Sequence, residues 1–321
     1  MLFQFVYNKI LTVPNKGLWN KVLLRVLILL RKIILRFNDP LVKYSIGKFP
    51  LLLPLSHNLP LYRKDYPNYG SNVGRIAKFV KQKYPTLTFI DVGANIADSV
   101  AVIRSEIDCP ILCIEGSKRY FGILKKNSAL FSNVFVEMVY VSNKTGYAKL
   151  KMQEDSGTAH LYEDKVGEVY TKTLRDILEN YPIFLKSKMI KIDTDGFDCI
   201  ILRGSLDFLA RAKPVIFFEY HPFLLSKQNE DSISIFAFLH SIGYETALVY
   251  DNFGNYMLST RLMNSLLIEE VHNYFFCRGG SCYSDIVVFH YEDGDLFERI
   301  RLTELQFFRT AASGNYSRAS P

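Results

Sequence analysis

Five acidic residues and one histidine stand where apolar runs end. Asp91 follows L-T-F-I, Glu115 follows I-L-C-I, Asp193 and Asp195 follow M-I-K-I, and Glu219 with His221 closes P-V-I-F-F. Apolar runs of this length bounded by Gly or Pro read as buried parallel strands. A buried strand has no need of a carboxylate at its end, and several carboxylates in one crevice cost desolvation unless a ligand or a donor pairs with them. The chemistry such a set can do is proton transfer and the holding of a polar or cationic ligand. His221, whose type has an unperturbed pKa of about 6.5, is the side chain best matched to taking a proton at neutral pH. Asp195 and Glu219 are its rivals. The carboxylates at 193, 195 and 219 do not by number or placement make an octahedral metal site, so no metal is assigned.

The stretch D-V-G-A-N-I-A-D at 91–98 reads as a strand, a tight turn and the start of a helix near Ile96. Gly93 permits backbone angles closed to other residues and a close approach by a ligand. The helix start offers N–H groups to a negative group such as a carboxylate. Glu115 closes the next strand, where an acid in a nucleoside-binding fold accepts the ribose hydroxyls. G-x-G-x-x-G is missing, which disfavours a pyrophosphate and NAD; an adenosine bearing an amino acid suits this turn better.

These positions need a sheet to line them up. Strands are expected at 87–92, 111–115, 135–141, 189–193, 214–220, 246–250 and 285–290, and helices at 97–105, 118–129, 173–180, 197–209 and 232–241. Such alternation predicts an α/β fold, a doubly wound, mainly parallel seven-stranded sheet with helices on both faces. S-N-K-T-G at 142–146 and D-N-F-G-N at 251–255 predict added hairpins. A helix from about Ser71 or Asn72 to Tyr84 precedes the first strand, and another spans 296–308 before a tail expected to be disordered.

The net charge of the 321 residues is +7, yet residues 1–48 carry nine Lys or Arg against Asp39 alone. The remainder is near neutral, which gives no support for a wide nucleic-acid surface. Lys21 to Phe37 alternates apolar runs with Lys21, Arg25, Lys32 and Arg36 in one stripe, too interrupted to span a bilayer. Two readings stand side by side: peripheral contact with an anionic membrane through 21–37, or a helix packed on the core. Pro40, Pro50, Pro54, Pro60 and Pro67 predict an irregular surface connector. The organisation expected is a basic helix and Pro-rich connector over 1–70, the core domain over 71–295, and a C-terminal helix and tail over 296–321. The 5 scattered cysteines suit a reducing compartment, so a cytoplasmic protein is expected.

Six blocks carry a family resemblance: D-V-G-A-N-I-A-D-S (91–99), I-E-G-S (114–117), V-S-N-K-T-G (141–146), T-K-T-L-R-D-I-L (171–178), M-I-K-I-D-T-D-G-F-D-C-I-I-L-R-G-S (189–205) and P-V-I-F-F-E-Y-H-P (214–222). Together, and in this order, they resemble the FkbM-type methyltransferases over about residues 72–290. The resemblance implies a class I, Rossmann-like fold, S-adenosyl-L-methionine as cofactor, and O-methylation of a small-molecule or glycan acceptor. It implies that Asp91, Gly93, Ala94 and Asn95 form the turn under the methionine portion, that Glu115 takes the ribose, that Ser142 lies near the adenine and that Asp193 sits beside the amino group. Two positions depart from the family pattern, which has Gly where this chain has Ala97 and Asp-x-Glu-Gly where it has Asp193-Thr194-Asp195-Gly196. No N/D-P-P-Y/F/W turn follows the fourth strand, which argues against methylation of a flipped base. The competing class is a non-catalytic cofactor-binding or membrane-associated scaffold.

Overall fold

In the computed structural model, residues 2–14, 16–155, 157–164 and 166–316 are described. Helices α1 (Leu2–Thr12) and α2 (Leu18–Phe37) lead into a hairpin, β1 (Leu41–Ile46) and β2 (Phe49–Pro54), then α3 (Leu59–Asp65) and α4 (Asn72–Lys83). There follow β3 (Phe89–Val92), α5 (Asp98–Glu106), β4 (Ile111–Ile114), α6 (Lys118–Ser128) and β5 (Val134–Glu137). Short strands β6 (Tyr140–Val141), β7 (Gly146–Ala148), β8 (Leu150–Asp155), β9 (Thr158–Glu163) and β10 (Val169–Lys172) come next, with α7 (Leu174–Leu178). The second half holds β11 (Met189–Ile192), α8 (Asp198–Gly204), α9 (Leu206–Ala212), β12 (Val215–Tyr220), α10 (Pro222–Lys227), α11 (Ser234–Ser241), β13 (Tyr244–Asp251), β14 (Tyr256–Arg261), α12 (Ser265–Phe276), β15 (Ser284–His290) and α13 (Gly294–Tyr316).

The main sheet has eight strands in the order β14-β13-β15-β12-β11-β3-β4-β5. From β5 to β12 all neighbours are parallel, while β15 runs antiparallel between β12 and β13, and β14 is the edge strand of the hairpin predicted at 251–255. The period-2 alternation of side chains splits the apolar residues between the two faces. Phe89, Ile111, Met189, Val215 and Val287 face α4, α5, α6 and α13, whereas Ile90, Leu112, Ile190, Ile216 and Ile286 face α7, α8, α9 and α11. Each such side chain, fully buried, contributes about 1.5–3 kcal/mol, which is why central strands apolar on both faces fold into the middle of the sheet.

Four expectations are corrected. The 142–146 turn does not make a simple hairpin, because β6 and β7 both flank β10, one parallel and one antiparallel. The single helix expected at 197–209 is two, broken at Ser205, whose hydroxyl donates to the Ile201 carbonyl. The Pro-rich connector is not irregular: β1 and β2 pair over six residues, and Val42, Ile46, Leu51, Leu53 and Leu55 join the core that holds α4 and β3. Residues 41–70 thus belong physically with the main domain; proline is tolerated in this hairpin because it is a separate two-stranded ribbon rather than an interior strand. The C-terminal helix runs through Tyr316, and 317–321, part of the expected tail, lie outside the described residues, as do Ser156 and Lys165.

Candidate active site

The carboxyl ends of β3, β4, β11 and β12 open on a cleft with two connected hollows, of about 150 Å³ and about 50 Å³, that share Gly93, Asn95, Asp193 and Asp195. The turn after β3 is built on alternating left-handed residues: Gly93 at φ 81°, Asn95 at φ 46° and Ala97 at φ 69°. At Gly93 the requirement comes from the protein itself, because a Cβ there would stand 1.8 Å from the Asp193 carbonyl oxygen. Ala97 occupies the left-handed position that precedes α5, a conformation glycine enters more cheaply. The N–H groups of Gly93 and Ala94 both donate to the Ile114 carbonyl, and that of Asn95 to Glu115 Oε2. The N–H groups of the turn itself are therefore spent on closing it, and the first-turn residues of α5 that line the cleft are Asp98 and Ser99.

Glu115 is buried, and its second oxygen accepts from the Ser117 N–H at 2.7 Å. Burial pushes its pKa up to about 7 against the pull of those N–H donors. It lines the smaller hollow with Ile114, Val139, Val141, Leu161 and Phe197, an apolar slot whose mouth also carries Asp193 and Asp195. The slot is closed on one side by Tyr140, whose ring leaves no room for a Cβ on Gly116.

The larger hollow gathers the acids. Asp195 sits at φ 52° beside Gly196 at φ 108°, in a turn pinned by Asp198, whose two oxygens accept from the N–H groups of Thr194 and Gly196 at 3.1 Å each. Burial raises Asp195 to about 7, with Asp193 and Glu115 adding to the shift. Glu219 lies directly across the antiparallel pair from Asp285. Burial raises both, Asp285 to about 7 and Glu219 well above its ordinary range, and neighbouring acids add to it, Asp193 for Asp285 and Asp195 and Asp193 for Glu219. Glu219 Oε2 has no hydrogen-bond partner among the described residues. Lys191, in register with Asp91 on β3, is the cation of the set, 2.8 Å from Asp193 and 3.6 Å from Asp91. Tyr62, Tyr69 and Tyr283 form an aromatic wall of the same hollow.

Gly93, Asn95, Glu115, Asp193, Asp195 and Glu219 thus meet at the cleft. Four other expected site residues do not line it. Asp91 lies fully buried beneath Lys191, its pKa raised to about 6 by that burial. Ala94 packs into the core, and Ser142 lies one residue beyond the lining Val141, its N–H bonded to the Lys172 carbonyl. His221 stands behind the wall: it stacks on Tyr283 with ring centroids 5.0 Å apart, Nδ1 accepts from the Leu224 N–H, and burial lowers its pKa to about 4. A neutral, capped imidazole there is a poor proton acceptor at neutral pH. Sequence reasoning missed Lys191, Asp198, Asp285, Tyr69, Tyr283 and His57. Lys191 carried a signal, a cation inside an otherwise apolar strand; Asp285 carried none, because its partner is distant in sequence.

A parallel sheet with β15 inserted antiparallel between β12 and β13, its cleft at the first turn and an acid closing the second strand, is the arrangement of a class I, Rossmann-like methyltransferase fold. Residues 91–246, just under half of the chain, match the methyltransferase FkbM domain. No curated protein matches it. Similar solved structures include methyltransferase FkbM from Methylobacillus flagellatus KT, at 14% identity over 51% of this chain and 40% of that one, TM-score 0.37. This chain thus spans about two fifths of that protein's length. Others are a precorrin-6y C5,15-methyltransferase from Geobacter metallireducens GS-15, at 13% identity over 67% and 86%, TM-score 0.37, and an O-methyltransferase from Bacillus cereus in complex with SAH, at 11% over 68% and 80%, TM-score 0.37.

S-adenosylmethionine is the methyl donor of this class. The residues present fit it. The apolar slot ends at a buried carboxylate suited to a diol, and the neighbouring hollow holds acids, one with an orphaned oxygen, suited to a cationic group. Among the described residues no three His, Cys, Asp or Glu side chains converge as metal ligands would, and no helix is long and apolar enough to cross a membrane.

Proposed function

We propose that this methyltransferase acts on a hydroxyl of a neutral small molecule or glycan. The observation that carries this reading is the trio Asp195, Glu219 and Asp285, gathered in a hollow that shares Gly93, Asn95, Asp193 and Asp195 with the slot at Glu115, where burial holds Asp195 and Asp285 near 7 and lifts Glu219 well above the ordinary carboxylate range. The cofactor supplies an electrophilic methyl group when bound. Gly93 and Asn95 would support its amino-acid end, Asp193 would pair with its ammonium, and Glu115 would accept from its ribose hydroxyls. Transfer requires an acceptor oxygen held in line with the methyl carbon, so positioning carries most of the rate. Asp195, at the junction of the two hollows, accepts the hydroxyl proton, because a carboxylate poised near neutrality can both ionise and take a proton. Tyr62, Tyr69 and Tyr283 offer the flat faces on which a sugar or aromatic ring packs. A phosphorylated or carboxylated acceptor is disfavoured by the same acids.

Calorimetry with S-adenosylmethionine and with NAD tests the first step: binding of the former alone is expected, and binding of neither supports the scaffold reading. Asp195→Asn should lower kcat by about 10²–10³-fold with little change in cofactor affinity. His221→Ala should leave the pH profile of turnover unmoved. A profile that loses its limb in His221→Ala and keeps it in Asp195→Asn would return the base to His221.

A further inference from the structure

The basic leader leaves a face without a partner. α2 packs inward through Leu24, Leu27, Arg31, Ile34 and Leu35, and of these Leu27 alone is fully buried. Its other side presents Val22, Leu23, Val26, Leu29, Leu30 and Ile33, each 42–58% exposed, with Trp19 and Phe37 at the two ends both 84% exposed. At about 100° per residue these occupy one continuous arc of roughly 120°, and Lys21, Arg25, Lys32 and Arg36 form the adjoining arc. No acid occurs before Asp39. An apolar arc of this size bordered by cations is not what a monomer leaves in water.

The leader is also fastened to a wall of the cleft. Arg31 donates to the carbonyls of Leu55 and Ser56 and to Asn58 Oδ1, and Lys64 on α3 donates to the carbonyls of Ile10 and Val13. His57, Asn58, Leu59 and Tyr62, from this same segment, line the larger hollow.

We propose that the outer face of α2 docks on an anionic lipid bilayer, so that the chain works as a peripheral membrane enzyme on an acceptor carried by that bilayer; the second half rests on the methyl-transfer reading above. The charge pattern selects the occupant. A second copy packed on this face would bring its own cations against these, whereas anionic headgroups meet the basic arc while the apolar arc enters the acyl boundary.

Trp19 is the single tryptophan of the chain and sits on the proposed face, so its emission reports docking directly. Full-length protein is titrated with vesicles of phosphatidylcholine alone and of phosphatidylcholine with a quarter phosphatidylglycerol. A blue shift with the anionic vesicles, at least about tenfold weaker with neutral ones and reduced by salt, is expected. Leu29→Glu with Ile33→Glu should abolish the shift while leaving the circular dichroism and S-adenosylmethionine binding unchanged. No shift, an equal shift with both vesicles, or a shift surviving in the double variant overturns docking; so does self-association without vesicles that the double variant abolishes. Methyl-labelled cofactor is then incubated with membranes of the source cell: label pelleting with the membranes supports a bilayer-borne acceptor, and label confined to the supernatant overturns it. Loss of S-adenosylmethionine binding by the unmodified protein would sink the methyl-transfer reading and leave the fluorescence result standing.

Discussion

Lys191 and Asp91 face each other across two central parallel strands, with Asp193 completing the group and Asp91 wholly out of water. A pair in this position is not a strong source of stability, because desolvating both charges offsets most of their attraction; what it does is keep the acids above it from being stranded together. Removing one partner leaves an uncompensated buried charge. Lys191→Met should therefore cost about 3–5 kcal/mol in denaturant melts and push Asp91 further toward its protonated form. The orphaned Glu219 Oε2 belongs to the same logic, since an unpaired buried oxygen in a cleft is tolerated where a ligand donor completes it. Lys191 could be suspected from the sequence as a cation in a buried strand, but its partner could not be named without the β3–β11 register.

At the scale of elements, two turns and one hairpin decide the cleft. The turn after β3 closes on itself through Ile114 and Glu115, and the turn after β11 is braced by Asp198, so both present their acids on rigid backbone. Asn95 links the first turn to the β8–β9 hairpin through its Nδ2 bond to the Gly157 carbonyl at 2.7 Å. The wall opposite is held by α2 through Arg31, whose guanidinium reaches three oxygens of residues 55–58. Arg31→Ala should destabilise by about 1–3 kcal/mol and loosen this wall, read as a lower melting temperature and faster amide exchange at residues 55–65 than at β3.

Across the whole molecule, charge separates into a basic leader and an acidic cleft. Asp91 near 6, and Glu115, Asp195 and Asp285 near 7, all hold protons more tightly folded than unfolded. Their sign is the reverse of an ordinary salt-bridged acid: the contribution to stability is full below about pH 4 and is lost as pH rises through about 6–7. The ligand-free protein should thus melt at lower temperature at pH 8 than at pH 5.5. A cationic ligand favours the ionised acids, so S-adenosylmethionine should bind more tightly as pH rises through 7, by up to about tenfold per unit for each proton released. Calorimetry in buffers of different ionisation enthalpy counts those protons.

The sequence alone determined the alternation of strands and helices, the strand-turn-helix that begins at Leu87, the resemblance to FkbM methyltransferases and the standing of Glu115, Asp193, Asp195 and Glu219 at strand ends, because periodicity, glycine and strand ends are local properties of the chain. The tertiary structure alone decided that Asp285 faces Glu219, that His221 is screened by Tyr283, that the proline-rich segment builds a wall of the cleft, and that α2 turns its apolar arc outward. Each of these depends on pairing or burial between residues far apart in the chain, where free energy is shared among many partners and no short stretch carries the signal.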